Sequence, residues 1–147
     1  MKVTATIRVM SEIDALRTAV VLALERLCFA SADRYLDEHP VEPTVTARVA
    51  FTGPRTGSVS IAMPRATLAA LCETLAPPDV EILHDDVLGE LANIICGNVV
   101  PRIFGPTETY MLAPPELGPP PPGPDLATAV VAFDCGWVVA TLHGEAS

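Results

Sequence analysis

The chain has 147 residues, 50% of them hydrophobic, and its 9 Lys and Arg against 18 Asp and Glu give a net charge of −9. The apolar fraction excludes an intrinsically disordered chain, and the length fits a single domain spanning residues 1–147. The acidic balance argues against a nucleic-acid partner and against electrostatic membrane binding, because both need a cation-rich surface.

No segment is expected to span a membrane. The richest apolar stretch, residues 19–30, is interrupted by Glu25 and Arg26, whereas a spanning helix needs about 20 apolar residues. The first six residues lack the pattern of a signal peptide. We therefore expect a cytoplasmic protein.

The N-terminal part of the chain predicts a strand, a helix and a loop. Residues 3–9 alternate between apolar and polar side chains, as in a half-buried strand. Ser11 then begins a helix that extends to about Ala30. The apolar face of this helix consists of Leu16, Val20, Leu24 and Leu27. Pro40 and Pro43 mark the loop that follows the helix.

A hairpin and a second helix come next. Residues 44–51 and 58–63 alternate in the same way and are joined by a turn-rich stretch, which predicts a β-hairpin. Pro64 is suited to the start of a helix over residues 65–75, because its missing N–H costs nothing there. The pair Pro77-Pro78 ends that helix.

A long helix and the remaining strands complete the predicted fold. The helix extends from about residue 85 to at least 100, and Pro101 either ends it or kinks it on the way to Phe104. Three strands are predicted at residues 107–112, 126–133 and 137–142, the last two joined as a hairpin. The order β-α-β-β-α-α-β-β-β predicts an α+β fold, a mostly antiparallel sheet with helices packed on it.

Seven of the 15 prolines fall within residues 114–124. We expect this stretch to stay out of the sheet and to form an extended polyproline loop, because proline cannot donate to a strand ladder. A ligand for an SH3-type domain is the alternative. A stiff connection between two strands needs no such partner and is the simpler interpretation.

The sequence offers no clear metal or nucleophile pattern. The four cysteines, which are far apart in the sequence and have no metal-ligand spacing, are Cys28, Cys72, Cys96 and Cys135. We expect them to be free, buried thiols. None of His39, His84 and His143 stands in a Ser/His/Asp or Cys/His signature. The run His84-Asp85-Asp86 lacks the two-His spacing of zinc enzymes, so no metal site is expected.

The long helix carries a polar ridge opposite its apolar stripe. The polar ridge consists of Asp86, Glu90, Asn93 and Gly97. At 100° per residue, these four positions fall within an arc of about 60°. The stripe on the opposite side consists of Leu88, Leu91, Ile95 and Val99. Asn98 falls on the packed side, where we expect a structural role and a hydrogen bond to the backbone.

Two interpretations of the polar ridge stay open at this point. A solvent-facing ridge is normal for any amphipathic helix. However, glycine within a helix costs about 1 kcal/mol relative to alanine, and asparagine is also a poor helix former. An exposed glycine such as Gly97 is expected where the backbone of another molecule comes close. The composition of the ridge therefore weakens the purely solvating interpretation.

The chemistry of the polar ridge rests on a carboxylate and a carboxamide that lie one turn apart. Glu90 and Asn93 are neighbours on the helix surface. A carboxamide can accept one hydrogen bond and donate another at once, which suits Asn93 to holding an attacking water in line with a phosphoryl group. Glu90 can pair with a cation of a partner.

The same residues carry a family resemblance. Residues 86–98 contain Asp-x-x-x-Glu-x-x-Asn followed by Gly-Asn, which resembles the catalytic helix of the CheX/CheC chemotaxis phosphatases, CheX more closely. Further similarities lie in the hairpin at residues 51–61, in Leu27-Cys28-Phe29, in Pro114-Pro115 and in Gly136. The first helix has no second Glu-x-x-Asn, so one active site per chain is expected, unlike in CheC.

The resemblance implies a phosphatase acting on the aspartyl phosphate of a CheY-type receiver domain. It implies that Glu90 docks to a receiver lysine, that Asn93 orients the hydrolytic water, and that Asp86 is a supporting acid at the rim. Gly97 would belong to the same partner contact. It further implies that Mg²⁺ is bound by the receiver and that this chain binds no cofactor. A homodimer is also implied.

One competing function remains open from the sequence. A receiver-binding or flagellar-switch-like scaffold of the same fold would bind its partner without catalysis. The intact pair of Glu90 and Asn93 favours the enzyme, because a scaffold has no need of the amide.

Overall fold

The computed structural model describes residues 11–38, 40–76, 81–119 and 123–145, which form three helices and seven strands. The helices are α1 (Glu12–Leu27), α2 (Arg65–Leu75) and α3 (His84–Phe104). The strands are β1 (Ala32–Leu36), β2 (Val45–Thr52), β3 (Gly57–Met63), β4 (Met111–Leu112), β5 (Glu116–Leu117), β6 (Asp125–Phe133) and β7 (Gly136–Gly144). The strand predicted at residues 3–9, His39 and Pro77-Pro78 lie outside the described residues.

The strands of the described part form one antiparallel sheet. Their order is β1-β6-β7-β3-β2-β4, and β5 also pairs with β2. α1 packs against β6 and β7, whereas α3 packs against α1, α2, β2 and β3. The predicted α+β architecture, with its two hairpins and its helices packed on an antiparallel sheet, is confirmed.

α1 begins as predicted and ends earlier. The side chain of Ser11 caps its first turn. The helix ends at Leu27 because Phe29 adopts a φ of +56° and the N–H of Ala30 bonds back to the carbonyl of Leu24. The prediction that Leu27 belongs to the buried face is wrong, since this last helical residue is 40% exposed.

Two edge strands differ from the sequence predictions. β1, which was expected to be part of a loop, pairs with β6 and is largely exposed. Edge strands commonly carry charged residues rather than a clean apolar alternation, so this strand resembles a loop in sequence. The prediction that residues 114–124 stay out of the sheet is wrong for β5. Glu116 pairs with Arg48 on β2, and the two side chains also form an ion pair.

The segment predicted as a strand at residues 107–112 is mostly irregular. Only β4 at its end joins the sheet, where Leu112 pairs with Phe51. Residues 106–108 form a turn. Pro106 lies within this turn, which fits its inability to supply an N–H to a strand ladder.

α3 continues through Pro101 and ends at Phe104, so the prediction that the helix stops at the proline is wrong and the predicted end at Phe104 is confirmed. By length and composition this helix would be able to cross a membrane, which corrects the expectation that no segment qualifies. Half of the stretch in question is buried inside the fold, as in a core helix. Apolar character therefore serves packing against the sheet and against α1.

The cysteines are free, as expected, and Cys28 lies near both Cys72 and Cys135. Cys28, Cys72 and Cys96 are buried, and Cys135 is half-buried. Burial, together with the neighbouring Cys135 and Cys72, raises the pKa of Cys28 to about 11. Burial also raises the pKa of Cys96 to about 12. All of these thiols are therefore protonated near neutral pH and poor nucleophiles.

We predict that Gly136→Ala destabilises the protein more than Gly105→Ala does. Both glycines have positive φ, +143° and +101°, which costs an alanine about 1–3 kcal/mol. A Cβ on Gly136 would also collide with the side chain of Thr67, whereas a Cβ on Gly105 meets nothing within 4 Å. Urea unfolding should show a further loss of about 1–3 kcal/mol for Gly136→Ala. Equal losses of unfolding free energy in the two variants would contradict the close contact between Gly136 and Thr67.

Candidate functional site

The polar ridge predicted from the sequence faces solvent in the structure. Asp86, Glu90 and Gly97 are exposed and Asn93 is half-buried. The residues of the opposite stripe, each at most 3% exposed, are Leu88, Leu91, Ile95 and Val99. The burial of one side of α3 therefore fixes which side chains the other side presents.

The two candidate functional side chains are not engaged by the fold. Within the described ranges, no group forms a hydrogen bond or ion pair with the carboxylate of Glu90 or the amide of Asn93. Asn98 behaves differently, since its Nδ2 donates to the carbonyl of Ile94 at 2.9 Å. Its Oδ1 accepts from Nη1 of Arg102 at 3.1 Å. Asn98 is thus bonded to backbone, as predicted, while the carbonyl oxygen and the NH₂ group of the Asn93 amide both stay available to accept and to donate hydrogen bonds.

The position of Asp86 in α3 explains its negative charge without a partner protein. It lies with Asp85 in the first turn of α3, where carboxylates interact favourably with the positive end of the helix dipole. The residue before the helix, Leu83, offers no side-chain cap. Asp86 therefore supports the start of the helix, and its part in a partner contact remains a prediction.

One flank of the polar ridge is covered by residues 111–117, which we call the side wall. A Cβ built on Gly97 lies 3.6 Å from Cδ1 of Leu112, and one built on Gly89 lies 3.3 Å from Cγ of Pro115. The side wall is held to the sheet by β4, by β5 and by a hydrogen bond from the N–H of Ala113 to the carbonyl of Ala50. Sequence reasoning predicted a strand at residues 111 and 112 and missed the rest of the side wall, because Pro114 and Pro115 suggested a loop.

The contact at Gly97 is loose enough for a methyl group. A separation of 3.6 Å is an ordinary van der Waals contact, and the residue is exposed. The fold itself therefore does not require glycine at position 97. A requirement set by a partner remains a prediction.

A second polar arrangement lies at the centre of the sheet and includes His143, which stands in no Ser/His/Asp signature in the sequence. Oγ of Ser60 lies 2.7 Å from Nε2 of His143. Nδ1 of His143 lies 2.9 Å from Oδ1 of Asp125. The three residues come from β3, β7 and β6, so only the sheet brings them together.

This arrangement has the connectivity of a hydrolase triad but lacks the surroundings of one. Ser60 lies in the middle of β3, whose backbone is paired with β2 on one side and β7 on the other. The N–H groups beside the hydroxyl are therefore committed to the sheet and cannot form an oxyanion hole. Ser60 and His143 are only 6% and 7% exposed. We therefore assign the three residues a structural role.

We predict that Ser60→Ala lowers the free energy of unfolding by about 1–3 kcal/mol, because it leaves Nε2 of the buried His143 without its partner. Thr128→Ala is the control, since the loss of its exposed hydroxyl on β6 should cost at most about 1 kcal/mol. Urea unfolding measures both. Covalent labelling of Ser60 by a fluorophosphonate would contradict the structural assignment.

Comparisons with known proteins give a consistent result for the fold. CheX from Desulfovibrio desulfuricans is similar to this chain with a TM-score of 0.72 and 16% identity, covering 92% of this chain and 100% of that one. CheX from Vibrio vulnificus has a TM-score of 0.68 and 12% identity, and the match covers 91% of this chain and 96% of that one. A Borrelia burgdorferi structure of a CheX-CheY-BeF3-Mg complex has a TM-score of 0.63 and 16% identity, and the match covers 92% of this chain and 99% of that one. A comparison with curated protein sequences gave no match.

The sequence profile of one family matches residues 45–118, which is half of the chain and includes the whole polar ridge. That family is described as chemotaxis phosphatase CheX. The chain belongs to the CheX family.

Proposed function

We propose that this chain hydrolyses the aspartyl phosphate of a CheY-type receiver domain. The observation that carries the proposal is the pairing of an exposed carboxylate, Glu90, with the uncommitted amide of Asn93 on the one solvent-facing side of α3. Membership of a phosphatase family and the CheX-CheY complex of a structural relative support the same reaction class.

In the proposed reaction, Glu90 pairs with a lysine of the receiver and brings α3 against the phosphorylated aspartate. Oδ1 of Asn93 accepts a hydrogen bond from a water and holds its oxygen in line with the phosphorus. The new P–O bond forms as the bond between phosphorus and the aspartate oxygen breaks, and the carboxylate leaves. An amide cannot take up the proton of the water, so that proton passes to the released phosphate.

The divalent ion of this reaction is assigned to the partner. Within the described residues, no three His, Cys, Asp or Glu side chains converge into a metal-binding group. Mg²⁺ held by the receiver would neutralise the phosphoryl oxygens, and Asp86 would contribute to the rim of the contact. Gly97 would let the receiver backbone approach α3.

Two broader expectations belong to the same proposal. A receiver substrate implies a cytoplasmic location, and the resemblance to CheX implies a homodimer. Light scattering on the purified chain measures the second directly. Neither is needed for the chemistry, because one chain carries the complete pair of Glu90 and Asn93.

We predict that Asn93→Ala lowers the turnover number about 100- to 1,000-fold, the range seen when one preorganised polar group is removed from a transition state. Glu90→Ala should chiefly raise KM, by about tenfold, because it removes the charge pair that docks the receiver. The assay follows phosphate loss from every receiver domain of the same genome after phosphorylation by acetyl phosphate.

Glu73→Ala is the matched control, since Glu73 is an exposed carboxylate on α2, outside the polar ridge. Full activity of both Asn93→Ala and Glu90→Ala would show that the site is wrongly assigned. Binding of a receiver without faster phosphate loss by the unaltered protein would favour the scaffold function instead.

We predict that Gly97→Ala raises stability and lowers activity. Alanine gains about 1 kcal/mol of helix propensity, and its methyl group makes only an ordinary contact with Leu112. If the receiver backbone packs on Gly97, the same methyl group should raise KM. A thermal melt and the phosphatase assay measure the two effects, and unchanged KM would exclude close approach at this position.

A further inference from the structure

A small groove opens at the far end of the polar ridge, beyond Asn93. It is lined by Gly97, Val100, Pro101, Glu108, Tyr110 and Leu112 and has a volume of about 190 Å³. Pockets that bind small molecules usually measure about 300–1,000 Å³, so this groove is better matched to a single side chain. Because Gly97 belongs both to the polar ridge and to the groove, the two form one continuous surface.

The groove offers hydrogen-bond acceptors. Pro101 has no N–H, so the carbonyl of Gly97 lacks the donor that a regular helix supplies four residues later. Glu108 is exposed, and among the described residues nothing forms an ion pair or hydrogen bond with its carboxylate. The nearby cation, Arg55, lies instead over the ring of Phe104, 5.3 Å from its centroid.

The rest of the groove is apolar and held in place. The ring of Tyr110 stacks on that of Phe104 at 5.5 Å between centroids and meets Phe51 edge-on at 5.9 Å. A Cβ on Gly53 would lie 2.7 Å from the Tyr110 ring, so the hairpin fits closely against it. The floor therefore presents fixed apolar surface to an incoming side chain.

We propose that this groove receives a lysine or arginine side chain of the receiver domain. The aliphatic stem would lie on Val100, Pro101 and Leu112, as the stems of long basic side chains commonly do. The charged end would donate to the carboxylate of Glu108 and to the carbonyl of Gly97. This contact rests on the proposed function and adds to it a second point of docking besides Glu90.

Charge favours a basic guest over an apolar one. The chain carries a net charge of −9, Glu108 lines the groove, and Gly97 connects the groove to the polar ridge that carries Asp86 and Glu90. A purely apolar guest would bury the Glu108 carboxylate without a partner, which is costly. A receiver face with two basic side chains, one for Glu90 and one for the groove, fixes both the position and the rotation of the partner.

The test compares KM and turnover number on the receiver that the unaltered protein dephosphorylates fastest. Glu108→Gln should raise KM about three- to tenfold and make KM less sensitive to salt, because it removes one charge pair without changing shape. Glu73→Gln, with the same change of charge on α2, should leave both unchanged. Pro101→Ala restores the helical N–H, so it should raise KM while also raising the melting temperature.

The outcomes separate the two proposals. If Glu108→Gln behaves like Glu73→Gln while the unaltered protein is active, the groove proposal is overturned and the phosphatase proposal stands. If Leu112→Ala raises KM and Glu108→Gln does not, the guest is apolar and the proposal is again wrong. If no receiver of the same genome loses phosphate faster in the presence of the unaltered protein, both proposals fail.

Discussion

The burial of α3 is the constraint on which the other features of this protein depend. Leu88, Leu91, Ile95 and Val99 are at most 3% exposed, and the helix contacts the sheet and both other helices. Burying side chains of this size contributes about 1.5–3 kcal/mol each, so the rotation of the helix about its axis is firmly set. Once that rotation is set, only one narrow strip of α3 remains available to a partner.

Polar residues of the exposed strip of α3 differ in their hydrogen bonding from Asn98 and Arg102 of the same helix. Asn98 and Arg102 use their polar atoms within the helix, at 3.0–3.1 Å from one to the other, and contribute to its stability. Glu90 and Asn93 have no such partners in the part of the chain that the structure describes. Groups that water can reach lose little by having no partner within the protein, because water satisfies them. The same helix therefore carries polar residues that stabilise it and polar residues that stay available.

Sequence periodicity predicted the elements whose apolar residues recur regularly, above all α3 and the side chains that it exposes. The course of α3 and the exposure of Glu90 followed from an apolar repeat long enough to be unambiguous. β1 and β5 were missed because edge strands need little apolar patterning, and β5 is held partly by the ion pair of Arg48 with Glu116. The Ser60 and His143 contact joins residues 83 positions apart, so only the strand order reveals it.

The anchoring of the side wall has a consequence for how such a protein diverges. The side wall pairs with the outer edge of β2, whereas α3 packs into the core. The side wall and the polar ridge, which border the site, therefore belong to different parts of the fold. Substitutions in the side wall change the shape of one border without disturbing the buried stripe of the helix. The shape of that border can therefore vary while Glu90 and Asn93 keep their places on α3.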